Sequence, residues 1–305
     1  MSVQFVQQVE PEKAFAALAD ETRLGILQAL WEPDIQTMTF SELRRTVGMR
    51  DPGQFNYHLD KLVGQFVTKS DGGYRLTQAG KHVSGAIASG VYTAHGSIDP
   101  IVLGHSCRIS GECLTVRYED ETVRIGCEAC PSCPSGWTVP APPAVFAGYD
   151  RDEIPAVVSQ YLRTTSQRAI NGFCPYCNGR MEPTVKPSDV MDVNPASSAD
   201  RSEDADGQSH DYPVVQFDCR RCGVEAGLAL DHALLLSDPV VASFYYENGI
   251  VVQDRPIWEF SELSPDSTDI ECRNPIRVNI TFRVDESALT VVIDGAFNVK
   301  TTHEL

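Results

Sequence analysis

Lysine is scarce in this 305-residue chain: it supplies 6 of the 25 basic residues, against 42 acidic ones, for a net charge of −17. That shortage argues against a protein that coats nucleic acid through a broadly basic surface. It matches a carboxylate-rich surface that stays hydrated in concentrated salt, where charge repulsion is screened. An ordinary acidic protein is the plainer alternative. Long apolar runs are also missing; stretches such as residues 233–236 fall far short of the roughly 20 residues that cross a bilayer. The first residues, MSVQFVQQVEPEKAF, lack a basic region followed by an apolar core, so a cytoplasmic protein is expected. No cysteine precedes Cys107. The patterns G-x-x-x-x-G-K-[ST], G-x-G-x-x-G, H-E-x-x-H and G-x-S-x-G are absent, and the seven histidines are scattered. No enzyme is expected.

What is present fits a globular chain of about two domains: 42% hydrophobic residues and 22 glycines. Residues 1–90 carry 9 cations and 10 anions, whereas residues 91–305 carry 16 and 32. Nearly the whole charge deficit therefore lies after the first domain, placed at residues 1–95. The expected class is α+β, with an N-terminal winged helix-turn-helix followed by a zinc-ribbon-containing α+β region over residues 96–305.

The N-terminal reading rests on start and stop signals. Residues 11–19 form a short helix with Phe15 and Leu18 on one face, and Asp20 caps a second over 21–31, where Leu24, Leu27 and Trp31 recur at helical spacing. Thr39-Phe40-Ser41-Glu42 is a capping-box pattern opening a third helix that ends at Gly48. Asp51-Pro52 opens a fourth, running to about Val63. Asp71-Gly72-Gly73 turns a hairpin between 66–69 and 74–77, and a last helix runs from Gln78 to about Thr93.

On the fourth helix Phe55, Leu59 and Leu62 should face the core. Gln54, Tyr57, His58 and Lys61 line a different, polar face, with Asn56 on its flank. Amide, phenol and imidazole groups suit base edges in a major groove, while Lys61, Lys69, Arg75, Arg44 and Arg50 suit phosphates. The competing reading is the solvated face of an amphipathic helix.

The run Phe15-Ala-Ala-Leu-Ala-Asp-Glu-Thr-Arg-Leu-Gly-Ile-Leu-Gln-Ala-Leu30 resembles the opening of ArsR-type winged-helix transcriptional regulators. The run Gly53-Gln-Phe-Asn-Tyr-His-Leu-Asp-Lys-Leu62 resembles the recognition helix of their haloarchaeal branch. The similarity covers residues 11–90, and the rest is similar to the long C-terminal region of haloarchaeal ArsR-like proteins. It implies binding of double-stranded DNA as a homodimer. It supplies no effector, because the Cys-Val-Cys element that some of these regulators use to sense metal is missing. Small residues between Gly85 and Ala94 allow close helix approach, either between two copies or within one chain.

The cysteines fall into two groups. Cys174-Pro-Tyr-Cys177 and Cys219-Arg-Arg-Cys222 form C-x2-C…C-x2-C, each pair followed by a glycine-containing turn. Four thiolates suit tetrahedral Zn²⁺ in a closed, structural site. The long gap is attributed to an acidic Ser/Asp/Asn/Pro-rich insertion over 187–212, read as disordered, within a ribbon spanning 172–225. Cys-Pro-Tyr-Cys is also a glutaredoxin-type motif, but that chemistry needs a helix after the first cysteine, and Asn178-Gly179 is a poor helix start. Cys107, Cys127, Cys130 and Cys133 form a weaker set in a degenerate ribbon, residues 96–148, hairpinned at 119–121. The expected partner three residues after Cys107 is Ser110; Cys113 or Cys133 can substitute, or the metal has been lost. Cys272 is expected to be buried and apolar. Residues 149–171 should form a helix between the two units. Residues 226–305 should hold a helix capped by Asp238 and running to Tyr246, a hairpin of 276–284 with 288–293, and a strand at 296–301.

The function expected is sequence-specific DNA binding by a transcriptional regulator with a structural zinc site. Its salt dependence should be shallow, because the counterion-release contribution fades in concentrated salt. The rivals are a protein-interaction module of the transcription machinery and a thiol redox protein using Cys174 and Cys177.

Overall fold

The computed structural model describes residues 9–32, 37–107, 110–130, 136–187, 213–263 and 267–304. It is a mixed α+β structure whose contacts divide it into two compact units, Met1–His95 with Pro142–Ala144 and Gly96–Ala141 with Val145–Leu305.

The first unit runs α1 (Pro11–Leu18), α2 (Glu21–Ala29), α3 (Phe40–Thr46), α4 (Pro52–Asp60), β1 (Val67–Ser70), β2 (Gly73–Leu76) and α5 (Gln78–Ala88). Side-chain caps set most of the helix starts. The Asp20 carboxylate accepts from the Arg23 amide, Asp51 from those of Gly53 and Gln54, and Thr77 from that of Gly80. Thr39 and Glu42 close a reciprocal capping box. Each cap satisfies amides that would otherwise lack partners, contributing about 1 kcal/mol. Phe55, Leu59 and Leu62 meet Ile26, Leu27, Leu43 and Val67 in a dry core. Burial of each such side chain stabilises by roughly 1.5–3 kcal/mol. β1 and β2 pair antiparallel around Asp71-Gly72.

Three details differ from the expectation. α4 stops at Asp60 and α5 at Ala88, where Ser89 caps it and Gly90 takes φ +73°. Trp31 is 42% exposed and Leu24 half-buried, and Ile26 and Leu30 join Leu27 in the core in place of the 24/27/31 set. Phe15 is 72% exposed, leaving α1 with no buried residue.

The second unit opens with β3 (Ile98–Ser106), β4 (Cys113–Glu119), β5 (Thr122–Gly126) and β6 (Trp137–Pro140), antiparallel in chain order. Asp120 and Glu121 turn the β4–β5 hairpin, both at positive φ, as a mirror-type two-residue turn requires. α6 (Ile154–Ile170) follows, starting five residues later than expected. β7 (Met181–Lys186), β8 (Val214–Cys219) and β9 (Glu225–Ala229) form a three-stranded sheet leading into α7 (Leu230–Ser237) and α8 (Pro239–Glu247), the latter capped by Asp238. β10 (Ser267–Arg273), β11 (Ile276–Val284), β12 (Ser287–Asp294) and β13 (Val299–Glu304) close the chain as a meander. One continuous apolar core joins these elements, with Val158 and Leu162 of α6, Phe217, Leu230, Tyr245 and Phe282 at its centre. Arg163 is buried within it; its guanidinium donates to the Val252 and Arg255 carbonyls and lies 4.9 Å from the Phe260 ring centroid.

Cys272 corrects the expectation of a buried thiol. It is exposed, because β10 is an edge strand with a register shift between Ile270 and Cys272. All of the 187–212 insertion except Pro187 lies outside the described residues.

Candidate metal centre and nucleic-acid interface

α4 presents two faces. Phe55 and Leu59 are fully buried, while Gln54, Asn56, Tyr57 and Lys61 are exposed. Tyr57 is 58% exposed and Lys61 Nζ sits 5.4 Å from its ring centroid. Asn56 donates to Asp60 Oδ2 at 2.7 Å. His58 is turned away from this group: its Nδ1 lies 3.1 Å from Asp20 Oδ1, which already caps α2. The imidazole thus sits between α4 and the start of α2. Arg44 is likewise occupied, donating to the Met49 and Arg50 carbonyls at 2.9 and 2.7 Å and so bracing the α3–α4 turn. Arg50, Lys69 and Arg75 are exposed, with Lys69 Nζ 5.8 Å from the Tyr74 ring. Arg45, exposed at the end of α3, is a further cation that the motif-based reading omitted.

The second unit brings Cys174, Cys177, Cys219 and Cys222 together with all four sulfurs within 4.8 Å of one another. The Cys174–Cys222 and Cys177–Cys219 Sγ separations are 3.7 and 3.5 Å. A zinc–sulfur bond of about 2.3 Å makes each edge of a tetrahedral site about 3.8 Å, so these sulfurs stand close to the corners such an ion needs. Two turns hold them. Cys174 and Cys177 follow α6 and precede β7; Cys219 ends β8 and Cys222 precedes β9. Arg168 of α6 donates to Asn178 Oδ1 at 2.6 Å, clamping the first turn, and the Gly179 amide points at Cys177 Sγ from 3.3 Å. No helix starts at the Cys174–Cys177 turn, and strand β7 comes next, so the feature that activates a glutaredoxin-type thiol is missing there.

Amides of Cys222 and Arg221 and neighbouring sulfurs hold the Cys219 thiol down at about 6. Cys222 is pulled down by the Val224 amide, but contact with Cys177, burial and contacts with Cys219 and Cys174 outweigh it and raise the thiol to about 12. Four thiolates this close would repel one another, and a divalent cation would remove that conflict.

Cys107, Cys127 and Cys130 form a second cluster, with Cys107 Sγ and Cys130 Sγ 3.9 Å apart. Cys113 is exposed at the start of β4, opposite Ser106, and does not join it. Cys133 lies outside the described residues.

A family model described as a domain of unknown function, DUF7351, matches residues 104–299. The chain belongs to the DUF7351 family. Both cysteine clusters lie inside the DUF7351 region, so the candidate metal-ligating side chains are part of the domain and not of an appended segment. A second model, DUF7347, also a domain of unknown function, matches residues 11–87 and contains α1 to α4, the β1–β2 hairpin and most of α5. No curated protein and no solved structure matches the chain. Among the described residues no helix is long and apolar enough to cross a membrane.

Proposed function

We propose that this DUF7351-family chain is a sequence-specific DNA-binding transcriptional regulator of the ArsR type, not an enzyme. In this reading α3, α4 and the β1–β2 hairpin act as a winged helix-turn-helix and the second unit is stabilised by zinc. One observation carries the reading: α4 is anchored by Phe55 and Leu59 yet leaves Gln54, Asn56 and Tyr57 facing solvent, with Lys61 exposed just past its end. α4 enters the major groove. Gln54 and Asn56 offer amides matched to adenine edges, and Tyr57 contacts a base edge or the backbone. Lys61, Arg50, Lys69 and Arg75 hold phosphates. His58 and Arg44 act from behind, fixing α4 against α2 and α3. The protein works in the cytoplasm as a homodimer.

Zn²⁺ is the ion proposed for Cys174, Cys177, Cys219 and Cys222. A closed set of four sulfurs leaves no corner for substrate, so its contribution is to folding. Binding to DNA upstream of its own gene, followed by fluorescence anisotropy across a salt series, tests the function. Gln54→Ala should relax sequence preference more than Lys69→Ala, and the salt slope should be shallow. A steep slope with preference untouched by Gln54→Ala refutes it.

A further inference from the structure

The backbone repeats one turn three times. At Cys174, the amide N–H donates to the Gly179 carbonyl five residues on, and the Asn178 amide returns to the Cys174 carbonyl. At Cys219 the same two bonds link Cys219 with Val224 and Gly223 with Cys219. At Cys107 they link Cys107 with Glu112 and Gly111 with Cys107. The residue four positions after each cysteine has positive φ: Asn178 at 54°, Gly223 at 74° and Gly111 at 75°. In the first two turns the residue three positions on is a metal-ligand candidate, Cys177 or Cys222, less buried than the cysteine that opens the turn. In the third turn that position is Ser110, exposed behind a buried Cys107.

Ser110 is also where a fourth corner belongs. Its Oγ lies 3.5 Å from Cys127 Sγ. Zinc bonds of about 2.0 Å to oxygen and 2.3 Å to sulfur give a tetrahedral oxygen–sulfur edge of about 3.5 Å. The Cys107–Cys130 separation of 3.9 Å is near the sulfur–sulfur edge of the same figure. From the repeated turn and these distances, we infer a second metal site, for a divalent tetrahedral ion such as zinc, formed by Cys107, Cys127 and Cys130 with the Ser110 hydroxyl oxygen at the fourth corner.

The two sites then differ in kind. The site at Cys174 has four soft, anionic ligands. The site at Cys107 has three, plus a neutral oxygen that water or another donor can displace. It is the weaker and more exchangeable of the two. The inference stands apart from the DNA-binding reading and from the first site, since Cys222→Ala should impair only the tight equivalent and leave the weaker one.

The test is titration of the metal-free, reduced full chain with Zn²⁺ and, for spectroscopy, Co²⁺. The wild type should take up two equivalents, one tight and one weaker. Cys127→Ser should abolish the weaker one and leave the tight one. Ser110→Ala should weaken it about tenfold, the usual scale for losing a support at a metal site. Ser110→Cys, a one-atom change that leaves the turn intact, should tighten it and add sulfur-to-cobalt charge-transfer absorption. Circular dichroism checks that each variant is folded. Uptake of a single equivalent by the wild type overturns the inference. So does a Ser110→Cys protein with unchanged cobalt absorption, or loss of the weaker equivalent in Cys133→Ser with none in Ser110→Ala.

Discussion

Gly179→Ala gives a sharp test of the four-sulfur centre. A Cβ built on Gly179 falls 2.8 Å from Arg221 Cβ, 3.0 Å from Cys177 Sγ and 3.2 Å from Cys219 Sγ. Ordinary contact needs about 3.5–4.0 Å, so the two sulfurs and the second turn must retreat by roughly half an ångström or more. Zinc tolerates departures of only about 0.2 Å from its preferred bond lengths. The site then either opens on one side or drives the Cys174 turn off its clamp by Arg168. Displacements of this kind at the shell around a metal cost about 10–100-fold in affinity, or about 1.4–2.7 kcal/mol. Gly223→Ala is the control. Its φ of +74° makes alanine strained, but the new methyl meets nothing within 4 Å, so the loss is of stability and not of ligand spacing. Competition for zinc against a chromophoric chelator separates the two. A Gly179→Ala protein that keeps its zinc affinity within a factor of two would refute the packing argument.

Three other outcomes are expected. Leu59→Ala should destabilise the first unit by about 2–5 kcal/mol in urea unfolding, because the side chain, on α4, is completely buried in that unit's core. Removing metal with a chelator should lower the melting temperature of the second unit and leave the signal from the first unchanged, since both sulfur clusters belong to the second. At Asp294, burial raises the carboxyl, but Lys300, Asn298 and the Ala296 amide outweigh it and hold the group well below the usual carboxylate range. A depressed folded value means the stabilisation is complete at neutral pH and is lost as pH falls below about 4, the unfolded value. Asp294→Asn should flatten that acid limb in denaturation curves collected from pH 6 to pH 2.

Features encoded within a few residues were readable from the chain. The Thr39–Glu42 box, the Asp51 and Asp238 caps and the Asp120-Glu121 turn are local hydrogen-bond arrangements, and each formed where the residue types required. Phe55, Leu59 and Leu62 were readable because a helix with one wet face imposes a period. α7 gave no such signal: Leu230, Asp231, His232 and Ala233 through Leu236 are all buried, and a helix covered all round loses its period. The partner of His58 was equally hidden, since Asp20 lies 38 residues upstream and only packing of α4 against α2 brings the two together. The four-cysteine centre was legible by spacing. The role proposed for Ser110 was not, because a serine carries no ligand signature until the surrounding backbone is seen to repeat the other two turns.

The ribbon register has a consequence for how the DUF7351 region tolerates change in length. Met181 pairs with Cys219 at one end of the β7–β8 ladder, and Lys186 pairs with Val214 at the other. Five steps along an antiparallel strand separate those ends by about 17 Å. Extra chain entering between Lys186 and Val214 therefore joins at the tip remote from the sulfurs, and its length is uncoupled from their spacing. A loop lengthened or trimmed there should leave the spacing of the four cysteines unchanged.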